Sequence, residues 1–305
     1  MAIRFGNTLT AAVLGTILAG PAHADTGCRL CVLGFDMAEI EGSSLSLEYD
    51  LADQNRNWSG TSSAPASGNT DKAIRDDYFI ATAQFSFAKN WRLQIEIPFD
   101  SRSFTTDENG PIETFRHSAF GDVQLAALYS GLLKDASLEL AFGIKLPTGD
   151  TGYAGFPGDM QIGTGSTDFV FGLSTEDELF ENWTWSGEIA WIEPFAGSSR
   201  FKPGSEIDAA FTLSYGGFAI DAVRVTPLLQ AVVSHTAKDA GADADVVNSG
   251  GSRIALSPGI EVAFKGWSIS GAVEFPVYQY MRGNQLVARQ QFKLVLSYAL
   301  DGGAP

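Results

Sequence analysis

Residues 289–300 read R-Q-Q-F-K-L-V-L-S-Y-A-L, and apolar and polar side chains alternate along them. Phe292, Leu294, Leu296, Tyr298 and Leu300 share one parity; Gln291, Lys293, Ser297 and Ala299 share the other, with Val295 as its apolar exception. A period of two over such a length specifies a β-strand with one apolar face and one wet face.

The pattern recurs along the chain. Leu45, Leu47, Tyr49 and Leu51 alternate with Ser46, Glu48 and Asp50; Phe79 to Phe87 and Trp91 to Phe99 repeat it across a tight turn at Lys89-Asn90. Further alternating runs end on Tyr129, Leu146, Leu173, Trp191, Tyr215, His235, Phe264 and Val277. Stretches rich in Gly, Asn, Ser, Asp or Pro at 53–76, 100–119, 147–165, 194–205, 238–251 and 278–288 read as loops. The opposite strand ends are joined by short turns such as Lys89-Asn90, Gly216-Gly217 and Lys265-Gly266. The count comes to about twelve strands, an even number with short turns on one side and longer loops on the other, as outer-membrane barrels have.

An apolar face on every strand needs a cover. In a soluble sandwich a second sheet supplies it, and turns come every 8–12 residues or so. Here loop lengths are uneven, and Trp91, Trp183, Tyr215 and Trp267 gather beside short turns, where an aromatic girdle belongs. A closed sheet in lipid also pairs every backbone group. The expected fold is therefore all-β, a single-domain antiparallel transmembrane β-barrel over residues 44–300. The least charged later run, 225–237, carries Pro227, Gln230 and His235 and is no transmembrane helix.

The N-terminus fits export. Arg4, the apolar stretch 9–18 and Ala22-His23-Ala24 form a secretory signal cleaved after Ala24, so residues 1–24 are read as a signal peptide. Residues 25–43 become a periplasmic segment carrying Cys28 and Cys31, and 301–305 a C-terminal tail. The two cysteines lack the following His of a c-type haem site, since Val32 stands there, and a zinc site wants about four ligands. A local disulfide is expected in an oxidising compartment. The net charge of −16 excludes nucleic acid as a partner, because phosphate binding needs a basic footprint.

With the apolar parity facing lipid, the other parity lines the lumen: Arg92, Gln94, Glu96, Asp122, Gln124, Glu139, Lys145, Asp168, Glu188, Asp208, Thr212, Glu261, Glu274, Gln291 and Lys293. Acids outnumber bases. Such a wall suits passive passage of a small solute, or else salt-bridged filling of a barrel that conducts nothing. Outer-membrane lipid and a small solute are the expected partners, with no cofactor and no metal. An enzyme in a barrel, such as an outer-membrane lipid hydrolase, is the less expected alternative: past the signal only His117 and His235 remain, and their neighbours Ser118 and Ser234 point to opposite strand faces.

Two segments go beyond a generic barrel. Gly143-Ile144-Lys145-Leu146-Pro147-Thr148-Gly149-Asp150 is followed by Gln161-Ile162-Gly163-Thr164-Gly165-Ser166-Thr167-Asp168. The pair resembles the outer-membrane barrel family associated with the meta-pathway of phenol degradation, whose members show K-x-P-T-G-D, a Gly-rich loop and Q-x-G-T-G-S-x-D. Gly121-Asp122-Val123 and the ending from Gln285 to Tyr298 are similar too. The resemblance implies a barrel that passes aromatic or other hydrophobic small molecules. Read from its own chemistry, the segment is loop architecture: Pro147 ends a ladder, Gly149 and Gly163 permit positive φ, and Thr and Asp side chains bond turn backbone. Asp150, Asp159 and Asp168 match no EF-hand or repeat-type calcium loop. The cysteine pair before the first strand and the tail after Tyr298 depart from barrels that finish on a terminal aromatic.

Overall fold

The computed structural model describes residues 43–134, 137–197, 200–216 and 218–300. The signal peptide, Cys28 and Cys31, and the tail 301–305 lie outside the described residues.

Fourteen strand elements follow in order: β1 (Ser44–Gly60), β2 (Ser62–Ser63), β3 (Asp71–Ala88), β4 (Trp91–Thr106), β5 (Glu113–Phe120), β6 (Gln124–Tyr129), β7 (Leu138–Lys145), β8 (Thr167–Phe180), β9 (Trp183–Ala196), β10 (Glu206–Tyr215), β11 (Phe218–Ile220), β12 (Val223–Thr236), β13 (Gly251–Phe264) and β14 (Trp267–Ala299). Neighbours pair antiparallel; β14 pairs with both β13 and β1, and β10 pairs with β12, so the sheet closes on itself. The fold is a closed antiparallel β-barrel.

β14 supplies two staves. Its first arm, up to Met281, pairs with β13, and its second, from Gln285, pairs with β1. The chain folds back at Gly283, which has φ +67, and the Ala299 N–H donates to the Gly266 carbonyl at 2.9 Å, bringing the arms together at the far end. This corrects the expectation of a loop over 278–288: the turn is tight, and ladder pairing runs almost to it. Two other loops also prove shorter than their composition suggests. β1 continues to Gly60 and β3 starts at Asp71, while 100–119 forms most of a β4–β5 hairpin. Above Phe99 the outward side chains become Ser101, Ser103 and Ser118, so alternation of hydropathy ends although backbone pairing does not. The turn after β10 lies at Asp221, with φ +53, rather than at Gly216-Gly217.

Outward and inward parities separate cleanly. Leu294, Leu296, Phe211 and Ile260 are exposed on the outside, whereas Lys293, Gln291 and Thr212 on the alternate positions are buried inside. The short-turn end carries aromatic pairs: Trp91–Tyr129 at 4.6 Å, Trp183–Tyr215 at 5.2 Å and Trp267–Tyr298 at 4.5 Å between ring centroids. Pro276 sits at the β13–β14 bulge between Ile254 and Ala255, where a missing N–H costs least.

Candidate functional site: the barrel lumen

The inward parity carries linked polar side chains from the short-turn end to the loop end of the wall. Arg92 Nη2 lies 2.6 Å from Glu139 Oε2, and its Nη1 donates to Gln84 Oε1 at 3.2 Å. Gln84 donates to Gln94, Gln94 to Glu96 Oε1, and Gln124 to Glu96 Oε2, each at 2.7 Å. Lys293 Nζ pairs with Glu48 at 2.7 Å and reaches Asp50 at 3.6 Å; Arg253 Nη2 lies 3.3 Å from Glu274. Glu188, Asp208 and Glu261 are buried on the same inner wall, with Thr212 and Gln291. Buried charge demands partners, and these pairs meet that demand for most of the cations.

Parity alone misses several of these groups. Glu48 and Asp50 alternate with Leu47 and Tyr49 and belong to the lumen set as well, and Asp76, Asp100 and Arg102 fall in stretches whose composition reads as loop. Extending the Arg92-Gln94-Glu96 parity through Pro98 finds Asp100 and Arg102. The inner wall is also not uniformly polar. Ala126, Leu128, Ala141, Val170, Ala190, Ile192, Ala210 and Val232 form a buried apolar stripe from β6 across to β12.

At the loop end, residues 146–166 fold inward. The motif residues build the hinge of that excursion. Asp122 Oδ1 accepts the Gly149 N–H at 2.9 Å; Oδ2 accepts the Thr164 N–H at 2.8 Å and its hydroxyl at 2.6 Å. Lys145 Nζ bridges Asp122 at 3.2 Å and Asp168 at 2.8 Å, and Ser166 Oγ donates to Asp168 at 2.6 Å. Thr148 Oγ1 accepts the Val123 N–H at 2.8 Å, and Pro147 is exposed beside it. Gly149 and Gly163 cross in contact: a Cβ on Gly163 would lie 2.4 Å from the Gly149 carbonyl carbon. Only glycine fits there. Gly165, at φ +65, redirects the chain into β8. Asp150 accepts from Gly152 at 2.9 Å and lies 2.7 Å from His117 Nε2, so Asp150 and Asp168 serve separate parts of the loop.

The loop tip is packed, not suspended. Phe156 and Met160 are buried against Ile74, Phe104 and Leu286, and the His117 ring stacks on Tyr153 at 4.3 Å. Arg102 fastens the tip: Nη1 donates to the Met160 carbonyl at 2.8 Å, Nε to Asp76 at 2.6 Å, and Nη2 lies 3.0 Å from Asp100. Beneath the loop remains a cavity of about 40 Å³, lined by Tyr78, Ile80, Glu96, Lys145, Ile162 and Asp168 among others. That is room for water rather than for a drug-sized ligand, which takes about 300–1,000 Å³. The second histidine is elsewhere, on the outer wall, with Nδ1 of His235 2.8 Å from Ser252 Oγ.

The tip carries a titratable brake. Burial, then the nearby carboxylates Asp71, Asp239 and Asp245, push the Asp159 carboxyl up to about 7; burial and Glu108 raise Asp71 to about 6. A released loop would titrate near 3.8. The docked state thus holds the proton more tightly, so docking is firmest below about pH 4, weakens as pH rises to about 7, and changes little above. Hydrogen exchange of the amides in 151–162, corrected for intrinsic rates, is expected to quicken across that window. Asp159→Asn is expected to flatten the dependence, and an unchanged pH profile in that variant would assign the effect elsewhere.

No family model and no curated protein matches the sequence. Solved structures do. An outer membrane channel from Pseudomonas putida F1 superposes with a TM-score of 0.62 at 13% identity, covering 85% of this chain and 95% of that one. The transport unit of the autotransporter AIDA-I from Escherichia coli superposes at 0.50 with 9% identity, over 90% of this chain and 94% of that one. At these identities the likeness is one of fold: this chain has the architecture of outer-membrane β-barrels.

Proposed function

We propose that the protein is an outer-membrane channel for passive passage of small solutes. One observation carries the reading: a closed barrel turns an apolar band outward and an ion-paired wall inward, with a structured loop narrowing one mouth. Apolar exteriors of closed sheets belong in lipid, and a charged inner wall suits the passage of a polar or hydrated solute. The fold shared with an outer membrane channel agrees with this reading. For the solute class, the apolar stripe beside the charged wall suits amphiphilic or aromatic compounds, and the paired motifs around Pro147-Thr148-Gly149-Asp150 and Gly163-Thr164-Gly165-Ser166 point the same way through their resemblance to the phenol-pathway barrel family. Arg92, Lys145 and Lys293 with their acidic partners would set the field a solute meets.

The tight interior favours a second reading, a structural barrel that conducts nothing. The Gln84–Gln94–Glu96–Gln124 relay spans the wall beside the docked loop, and the cavity between them holds about 40 Å³. Single-channel recording of refolded protein under salt gradients, with simple phenols added, separates the two. Discrete conductance steps, partly blocked by the aromatic, are expected. A membrane that stays silent at saturating protein would favour the structural barrel.

A further inference from the structure

Gln124 carries a buried acceptor that the wall around it does not satisfy. The residue is 5% exposed, its Nε2 donates to Glu96 at 2.7 Å, and its Oε1 receives no hydrogen bond among the described residues. Buried acceptors without donors are costly, and native proteins satisfy nearly all of them. Gln124 borders the cavity of about 40 Å³ beneath the inward loop. It belongs there to one cross-strand row, Glu96 on β4, Gln124 on β6, Lys145 on β7 and Asp168 on β8. Asp122 joins this polar lining, and Ile80, Ile162 and Ile192 supply apolar surface. Three carboxylates against one ammonium leave the lining negative. That ammonium is fully engaged: Lys145 Nζ lies 3.2 Å from Asp122 and 2.8 Å from Asp168, and donates to Thr164 Oγ1 at 2.5 Å. Its three donors meet three acceptors, so none is left for an anion.

We propose that this cavity binds a small primary ammonium ion, methylammonium or ethylammonium, donating to Gln124 Oε1 between the Glu96 and Asp168 carboxylates while its carbon atoms touch the isoleucines. Size sets the limit: a water needs at least about 10–15 Å³ of cavity, so the space takes about three non-hydrogen atoms. Ethylammonium has that many. Charge selects the ion, because a negative lining without a spare donor admits donors and cations only. Charge-assisted N–H···O bonds are also the strong ones. Water alone would satisfy the Gln124 oxygen and leave the surplus negative charge. A bare metal ion would answer the charge and waste the apolar surface, and among the described residues no three His, Cys, Asp or Glu side chains are grouped to ligate one. As a station on a transport path the site rests on the channel reading; as a binding site it does not.

Equilibrium dialysis of refolded barrel in detergent against radiolabelled methylammonium, with tetramethylammonium chloride holding the ionic strength, tests it. One saturable site is expected, displaced by ethylammonium and far less well by butylammonium, which is too long for the cavity. Gln124→Leu, which keeps the bulk and deletes the acceptor, is expected to weaken binding about tenfold. Ile162→Phe, which fills the space from the loop side, is expected to abolish it and serves if the leucine variant does not refold. No saturable binding, undiminished binding in whichever of these variants refolds, butylammonium displacing as well as ethylammonium, or equal displacement by sodium chloride would overturn the assignment. No bilayer is involved, so a barrel that binds the amine but never conducts would overturn the channel reading alone.

Discussion

Leu296→Arg is expected to abolish productive insertion, while Lys293→Gln, three residues earlier on the same strand, leaves the barrel able to assemble. Leu296 lies on the outer face of β14, 40% exposed and paired across from Leu47 of β1 among other outward apolar side chains. An arginine on the lipid face costs about 2–4 kcal/mol near the bilayer midplane and less toward the rims. Its neighbours offer no carboxylate on that face to pair with it: Leu45, Leu47, Leu294 and Tyr298 are the outward residues around it. Lys293 points the other way, buried 2.7 Å from Glu48. Glutamine keeps a donor there and removes one positive charge, so the lumen becomes more attractive to cations. Folding is read by heat-modifiable migration on gels after refolding into bilayers, and selectivity by reversal potential. Similar folding losses in both variants would contradict the assignment of faces.

The period-two pattern carried the fold because lipid enforces it. Every residue between Leu45 and Leu51, or between Trp91 and Phe99, is sorted by whether it meets hydrocarbon, and that sorting is written in the side chains. Where the wall leaves lipid the sorting stops: Ser101 and Ser103 face water outside while Arg102 and Phe104 pack inside, and a strand there looks like a loop. The hairpin at Gly283 was hidden for a related reason: Tyr278 and Tyr280 still face outward around Gln279, but at the rim apolar Met281 turns inward and Arg282 outward, which reverses the hydropathy pattern. The Asp122–Lys145–Asp168 cluster was partly legible, because its members sit at inward positions or in the two quoted motifs. Its purpose was not. Nothing in Gly149 or Gly163 as letters says that their backbones touch; that follows only from where β6, β7 and β8 end. The inner apolar stripe is harder still, because Ala and Val on the inward parity weaken the very alternation that locates the strand.

Arg102→Ala is expected to release the inward loop and raise conductance severalfold without unfolding the barrel. Arg102 is 3% exposed, and its guanidinium joins three elements: Asp76 on β3, Asp100 on its own strand, and the Met160 carbonyl of the loop. Removing it strips one donor from the loop tip and leaves two buried carboxylates without their shared cation. The loop itself loses a hydrogen bond from a charged donor, about 1.5–3 kcal/mol, and about 1.4 kcal/mol is a factor of ten in an equilibrium, so the docked state loses about one to two decades of preference. The contacts of Phe156 and Met160 with Ile74, Phe104 and Leu286 remain, and they alone must then hold the tip. The wall is insulated from this loss, because β3 and β4 stay paired along the backbone from Thr106 down to Trp91. Arg102→Lys, which keeps the charge but not the planar fork, should fall between the two. Single-channel recording measures the opening, and proteolysis between Asp150 and Ile162 measures the release. Unchanged conductance together with an unprotected loop would mean that the narrowest point lies lower, at the Arg92–Glu139 and Lys293–Glu48 pairs.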